Sequence, residues 1–407
     1  GSTEMKIPHE QFCVLPWISI EASPIGSVRP CCLADNEIVD NNGNKFHLSG
    51  ATFDQIQGSN HMITLRQEFL DGKRPQTCRK CWMEERAGRT SKRMHTLDRL
   101  KHSITDTEWT VDAKPLMFLD LKLGNICNLK CRICGSWSSS QFASEEVHNT
   151  KPEHRKETFA YQMLRAGAWP QENPGFWTEI DKVLNNIRYI EFTGGEPFLI
   201  REHFDMLQGI VDRGIAHQVE IHYNTNGTQF PEHAPEIWRH FQTVEIAFSV
   251  DDIGARFEYQ RSNAVWPEVE ANIERFRQLR RTMPNIRLQC CTTVNVFNVR
   301  YLDGVANWIA TQGFDFVYWN MMHDAWYFSI GCLPDTAKTA IERHLRSTDI
   351  PPQYAQEFDR IIDFMNRGAS TDGFMTGIKI ADLDRKREQN LWDVEPELAQ
   401  LLNYVKT

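Results

Sequence analysis

Residues Leu119–Gly135 read LDLKLGNICNLKCRICG, and the fold is decided there. A short apolar run leads into a loop that carries Cys127, Cys131 and Cys134 in the spacing C-x3-C-x2-C. Several soft thiolates in one tight loop select zinc or an iron–sulfur cluster. Three thiolates on a four-iron cluster leave one iron without a protein ligand, and an open coordination position lets a metal engage in chemistry. Structural zinc, the competing use of such a loop, normally takes four protein ligands.

Outward from this loop, between about residues 115 and 330, short apolar runs alternate with amphipathic helical stretches. That is the pattern of βα units and a parallel sheet. The spacing predicts strands over 116–121, 188–192, 219–223, 244–250, 287–294 and 314–319. It predicts helices over 201–213 and 267–281, the second opening with Pro in its first turn. Six such units make an α/β fold, a partial (βα)6 barrel. Residues 1–110 are rich in turns, cysteine and tryptophan and alternate little, and residues from 333 onward read as helices over 336–346, 354–366 and 395–405. The expected domains are a small cysteine-bearing module over 1–110, the barrel over 111–332 and a helical extension over 333–407.

The loops after the strands carry further signals. YIEFTGGEPFLI places Gly194, Gly195, Glu196 and Pro197 after the second strand, and NTNGT ends the third over 224–228. EIAFSVDD puts Ser249 and Asp251 on the fourth, with Arg261 beyond, and QCCTTVNVFN puts Asn295 on the fifth. Glycines let backbone approach a ligand, and a carboxylate can pair with an ammonium group. Together with C-x3-C-x2-C, these motifs resemble the radical S-adenosylmethionine (radical SAM) superfamily. The resemblance implies a [4Fe-4S] cluster on Cys127, Cys131 and Cys134 whose open iron chelates S-adenosylmethionine. It implies that Gly194, Gly195 and Glu196 hold the cofactor's amino group, that Ser249 and Arg261 reach its carboxylate, and that Asp251 fixes the loop or the ribose. Asn295 is expected near the adenosine. Ile133 stands before Cys134 where an aromatic is common in the family, and its aliphatic side chain can fill that packing role. NTNGT is equally readable as a structural turn or as a ligand contact.

Eleven cysteines are present, and the odd count and local spacings argue against a disulfide framework. Those before the barrel run FCVLPWISIEASPIGSVRPCC and later TCRKCW. They resemble the SPASM/twitch auxiliary-cluster module, placed here before the barrel although the module usually follows it. The resemblance implies an auxiliary [4Fe-4S] cluster on Cys13, Cys31, Cys78 and Cys81. Cys32 is the alternative to Cys31, because neighbouring extended residues face opposite ways. A four-ligand zinc site is the competing reading. Cys290, Cys291 and Cys332 lack the spacing and are expected to be packed in the interior.

The formal net charge of -9 argues against a nucleic-acid partner held by phosphate contacts. No apolar run reaches membrane-spanning length and no signal-peptide pattern opens the chain, so it reads as cytoplasmic. Gly1 and Ser2 look like a cloning remnant, which makes Met5 a candidate start. The basic stretch Arg86, Arg89, Lys92, Arg93, Arg99, Lys101 and His102 reads as a solvated helix face or as a dock for an acidic substrate segment. The polar insertion over 135–179, with Trp137, Trp169 and Trp177, reads as a lid or a plain surface segment. Asn320 and His323, at the end of the sixth strand, are candidate catalytic groups because barrel active sites collect there.

The implied function is reductive cleavage of S-adenosylmethionine to a 5′-deoxyadenosyl radical that takes hydrogen from a substrate. The electron donor would be flavodoxin- or ferredoxin-like. A fully ligated auxiliary cluster favours net oxidation of a peptide or protein side chain. A dehydrogenase or epimerase acting on a sugar or aminocyclitol is the alternative, and a non-enzymatic metal scaffold is a further one.

Overall fold

The computed structural model describes residues 4–406, so Gly1 and Ser2 lie outside the described residues. The chain is a mixed α/β protein with a largely parallel sheet. Its strands are β1 (Ser19–Ala22), β2 (Val28–Arg29), β3 (Phe118–Lys122), β4 (Lys130–Cys131), β5 (Tyr189–Thr193), β6 (Glu220–Thr225), β7 (Thr243–Ser249), β8 (Arg261–Ser262), β9 (Ile286–Val294) and β10 (Phe316–Met321). All six strands expected from apolar runs are present, as β3, β5, β6, β7, β9 and β10, with ends shifted by up to two residues.

The chain divides into two compact units, and neither is one continuous stretch. The first takes the chain up to Asn125 together with Arg165–His222 and Glu236–Thr243; the second takes Ile126–Leu164, Tyr223–Pro235 and everything from Val244 on. The division falls within β6.

In the first unit, β1, β3 and β5 run parallel, with Glu21 opposite Asp120 and Asp120 opposite Glu191, while β2 returns antiparallel against β1. Side chains alternate across a sheet, so one face carries Ile20, Leu119, Leu121, Ile190 and Phe192, all fully buried. The other carries Glu21, Asp120, Lys122 and Glu191. This corrects the expectation of little regular structure before residue 110. That region supplies β1 and the helices Asn60–Leu70, Arg79–Arg86 and Lys92–Leu100.

In the second unit β7, β9 and β10 are parallel, with Ser249 opposite Cys291 and Asn320 opposite Thr293. The helix Trp266–Thr282 begins with Pro in its first turn as expected. The helices Asp335–Ser347, Ala355–Arg367 and Pro396–Leu401 fall on the expected stretches, and a further one, Phe374–Arg387, lies between them. Among the described residues no helix is long and apolar enough to cross a membrane.

Candidate metal and cofactor site

The cysteine loop belongs to the second unit and is held from several sides. Its middle forms β4, which pairs antiparallel with β8 so that Cys131 lies opposite Arg261. The Arg261 guanidinium stands 3.5 Å from Cys131 Sγ and 2.9 Å from Asp251 Oδ2. Asp251 Oδ1 accepts from the Thr293 amide at 3.0 Å, and Asn298 donates to the Asp251 carbonyl at 2.8 Å. Asp251 therefore fixes both Arg261 and the end of β9. Cys127 Sγ accepts from the Leu129 amide at 3.4 Å, with Asn226 Nδ2 at 3.8 Å. Asn226 also donates to Asn128 at 3.0 Å, and Asn128 donates to Thr228 at 2.9 Å. The turn over 224–228 thus braces the cysteine loop.

These contacts favour thiolate. A hydrogen bond from the Cys134 thiol and the nearby Arg261 charge outweigh burial and pull Cys131 down to about 7, while Cys134, as the donor, is pushed up. Among the described residues no three or more His, Cys, Asp or Glu side chains converge tightly enough to hold a single metal ion. A four-iron cube needs no such convergence, because each thiolate ends on a different iron. Three thiols, one poised as thiolate, with N–H donors and a guanidinium around them, fit that group.

Behind the loop lies an anchor that motif reading missed. Arg132, between Cys131 and Ile133, is fully buried and ion-paired to the equally buried Asp384 at 2.7 Å. Its Nε donates to the Tyr259 carbonyl at 2.9 Å, and its guanidinium stacks 3.6 Å from the centre of the Tyr259 ring. Beside it Glu145 pairs with Lys130 at 2.6 Å and with Arg387 at 3.1 Å. The helix Phe374–Arg387 supplies both Asp384 and Arg387, so it ties down the loop.

In the first unit, the loop after β5 turns at Gly194, whose φ is +98°. A Cβ there would stand 3.1 Å from Lys122 Cβ and 3.2 Å from the Gly124 carbonyl oxygen. Only glycine combines that conformation with that approach. Glu196 follows, 1% exposed. The same unit gathers Cys13, Cys31, Cys78 and Cys81 around one small cavity of about 20 Å³, walled by Leu15, Phe69 and Trp82 and by Lys92 and Arg93. Burial and the neighbouring thiols push Cys13 and Cys78 upward. Cys32 does not line this cavity: the charges around it are Lys92, Asp120 and Glu191 as well as Cys31.

Residues 121–308 match the family model described as the Radical SAM superfamily. The chain carries a radical SAM domain. Among solved structures it resembles anSMEcpe with bound AdoMet, at 15% identity over 63% of this chain and 64% of that one, with TM-score 0.38. It also resembles anSMEcpe with bound AdoMet and Cp18Cys peptide, at 14% identity over 63% of each chain and TM-score 0.36. A third is SuiB of Streptococcus suis bound to S-adenosylmethionine, at 13% identity over 79% of this chain and 67% of that one, with TM-score 0.33. The chain thus spans less than two thirds of the length of the anSMEcpe chains it matches. No curated protein matches it.

The radical SAM domain includes Ser249 at the end of β7 and, just past β9, Asn295, which is 1% exposed. Asn295 donates to the Thr293 carbonyl at 2.9 Å and accepts from the Phe297 amide at 2.8 Å, so it shapes the turn. Ile133 is half-buried beside the exposed Cys134. Asn320 lies on β10, half-buried, and His323 is exposed with its ring edge-on to Phe364 at 5.3 Å. Cys290 and Cys332 are buried, and Cys291 is half-buried. In the insertion, Trp169 is only 4% exposed and packs on Phe176 and over Gly26, so it is core and not a lid.

The polar face of β1, β3 and β5 has a titration consequence. Glu21 is satisfied by Arg29 and Lys122, each at 2.7 Å, but among the described residues Asp120 Oδ1 has no hydrogen-bond partner. Burial, with Glu191 and Glu21 close by and only partly offset by Lys122, raises Asp120 to about 7. The folded chain therefore keeps a proton that the unfolded chain releases above about pH 4. Stability falls as pH rises from there to about 7 and then levels. Asp120→Asn removes this slope, so its melting temperature relative to wild type should be higher at pH 8.5 than at pH 5.5. Equal differences at the two pH values would contradict a protonated Asp120.

Proposed function

We propose that this protein is a radical SAM enzyme that oxidises a peptide or protein side chain, and that it holds two four-iron clusters. Cys127, Cys131 and Cys134 would hold the first, leaving an iron open for S-adenosylmethionine. When bound, the cluster and cofactor supply a one-electron cleavage that yields a 5′-deoxyadenosyl radical able to take hydrogen from an unactivated carbon. The protein's part is binding and orientation. Glu196 pairs with the cofactor's ammonium and Arg261 with its carboxylate. Asp251, already bonded to Arg261, keeps that guanidinium aimed. Gly194 and Gly195 let backbone come close to the cofactor, Ser249 and Asn295 flank it, and Ile133 packs beside the cysteines. Asn320 and His323 are the proposed proton-handling groups, and a flavodoxin- or ferredoxin-like protein would deliver the electron.

The observation that carries the oxidative reading is the second thiol set. Cys13, Cys31, Cys78 and Cys81 face one cavity, which favours Cys31 over Cys32 as ligand. Four thiolates leave no iron open for substrate, so a cluster there would serve as a one-electron acceptor. A substrate that gives one hydrogen atom, then one electron and one proton, is oxidised by two electrons overall. That outcome suits dehydrogenation or bond formation in a SPASM/twitch-type enzyme.

Metal analysis of anaerobically reconstituted protein tests this. Wild type should hold about eight irons per chain, as two four-iron clusters require. Cys78→Ala with Cys81→Ala should lower that to about four while 5′-deoxyadenosine formation persists. Zinc at this site in iron-replete, anaerobically prepared protein would contradict the reading.

A further inference from the structure

In the basic stretch over 86–102, Arg86, Arg89, Arg99 and His102 are exposed, but Lys92 is half-buried and Arg93 is buried. Ser91 caps the helix Lys92–Leu100, its side chain accepting from the Met94 amide, which puts Lys92 and Arg93 in the first turn. Cations are disfavoured there by the helix dipole, so this placement needs repayment elsewhere. For Arg93 it is visible: the side chain is bonded to Glu85 at 3.0 Å and to the carbonyls of Glu10 and Phe12 at 2.7 and 3.0 Å.

Lys92 has no such partner. Its ammonium makes no hydrogen bond and no ion pair among the described residues; it lies 5.1 Å over the Phe118 ring and lines the cavity of Cys13, Cys31, Cys78 and Cys81. The groups that act on its charge are the Cys32 and Cys31 thiols and the Glu191 and Asp120 carboxyls, and together they favour the ammonium. A half-buried ammonium that has no ion pair of its own interacts strongly with any anion placed in the cavity it lines. Four thiolates on an iron–sulfur cube supply that anion, because a fully cysteine-ligated cluster is negative and becomes more so on reduction. A fixed neighbouring cation stabilises the reduced form more than the oxidised one, which raises the reduction potential.

We propose that Lys92 sets the reduction potential of the cluster held by Cys13, Cys31, Cys78 and Cys81, making that centre a competent electron acceptor. Lys92 acts through charge and ligates nothing. This rests on the two-cluster reading above.

The test is a redox titration of the reconstituted full-length protein, followed by electron paramagnetic resonance. Added S-adenosylmethionine marks the signal of the cofactor-binding cluster, so the signal it leaves unmoved belongs to the second centre. Lys92→Gln should keep the iron content and make the second centre at least tenfold harder to reduce, about 59 mV for a one-electron couple. Lys92→Arg should restore most of the shift, and the cofactor-binding signal should stay in place in both variants. Unchanged potentials in Lys92→Gln with full iron would overturn the proposal. So would loss of half the iron, because Lys92 would then be needed to assemble the site and not to tune it. Wild-type protein with only about four irons would instead contradict the second cluster itself.

Discussion

Asp384→Ala is expected to destabilise the chain by about 3–5 kcal/mol and to empty the three-cysteine site of iron. Asp384 is fully buried and accepts from Arg132 Nη2 at 2.7 Å, the Tyr259 hydroxyl at 2.7 Å, the Tyr404 hydroxyl at 2.5 Å and the Leu391 amide at 2.9 Å. Its removal leaves the Arg132 guanidinium charged, desolvated and without its carboxylate. Breaking a buried pair in this way costs far more than the pair is worth as a whole. Because Arg132 lies between Cys131 and Ile133, the damage reaches the cysteine loop directly. Arg132→Met combined with Asp384→Leu removes both charges and should recover part of the lost stability, a comparison that separates the stranded charge from lost packing. Denaturant unfolding with parallel iron analysis checks the prediction. A loss below about 1 kcal/mol, with iron retained, would show that the anchor does not hold the loop.

What the sequence made legible follows from local pattern strength. The six strands were readable because each is an apolar run bounded by turns or amphipathic helix. The helix Trp266–Thr282 was readable from Pro in its first turn. β1 was not, since its polar residues Ser19 and Glu21 are 1% and 0% exposed, and no simple inside–outside alternation marks a strand whose polar face is also buried. The helix Phe374–Arg387 starts after Gly373 in the left-handed region, and its exposed Phe374 and Ile378 blur the apolar stripe.

At the candidate site, thiol spacing pointed to the residues but not to their supports. Nothing local distinguishes Arg132 from any other residue inside a cysteine motif; its partner Asp384 comes 252 positions later. The choice between Cys31 and Cys32 was equally closed to sequence, since it depends on which side chain the fold turns toward Cys78 and Cys81. Most of the basic run, Arg86, Arg89, Arg99 and His102, is exposed as a solvated face would be, but Lys92 and Arg93 turn inward. Charge in sequence implies solvent only on average, and here Arg93, at 7% exposure, is spent on a buried ion pair and backbone carbonyls.

The most direct test of the account is anaerobic incubation of the reconstituted protein with S-adenosylmethionine and a strong reductant, with 5′-deoxyadenosine as the readout. Wild-type protein should form it. A variant with Cys127, Cys131 and Cys134 all replaced by Ala should form none and should lose about half of the iron, the share of one four-iron cluster in two. The surrounding donors survive in that variant, so the loss would belong to the thiolates and not to Arg261 or Asn226. A triple variant that still produces 5′-deoxyadenosine at the wild-type rate would contradict the assignment of these cysteines as the cluster ligands.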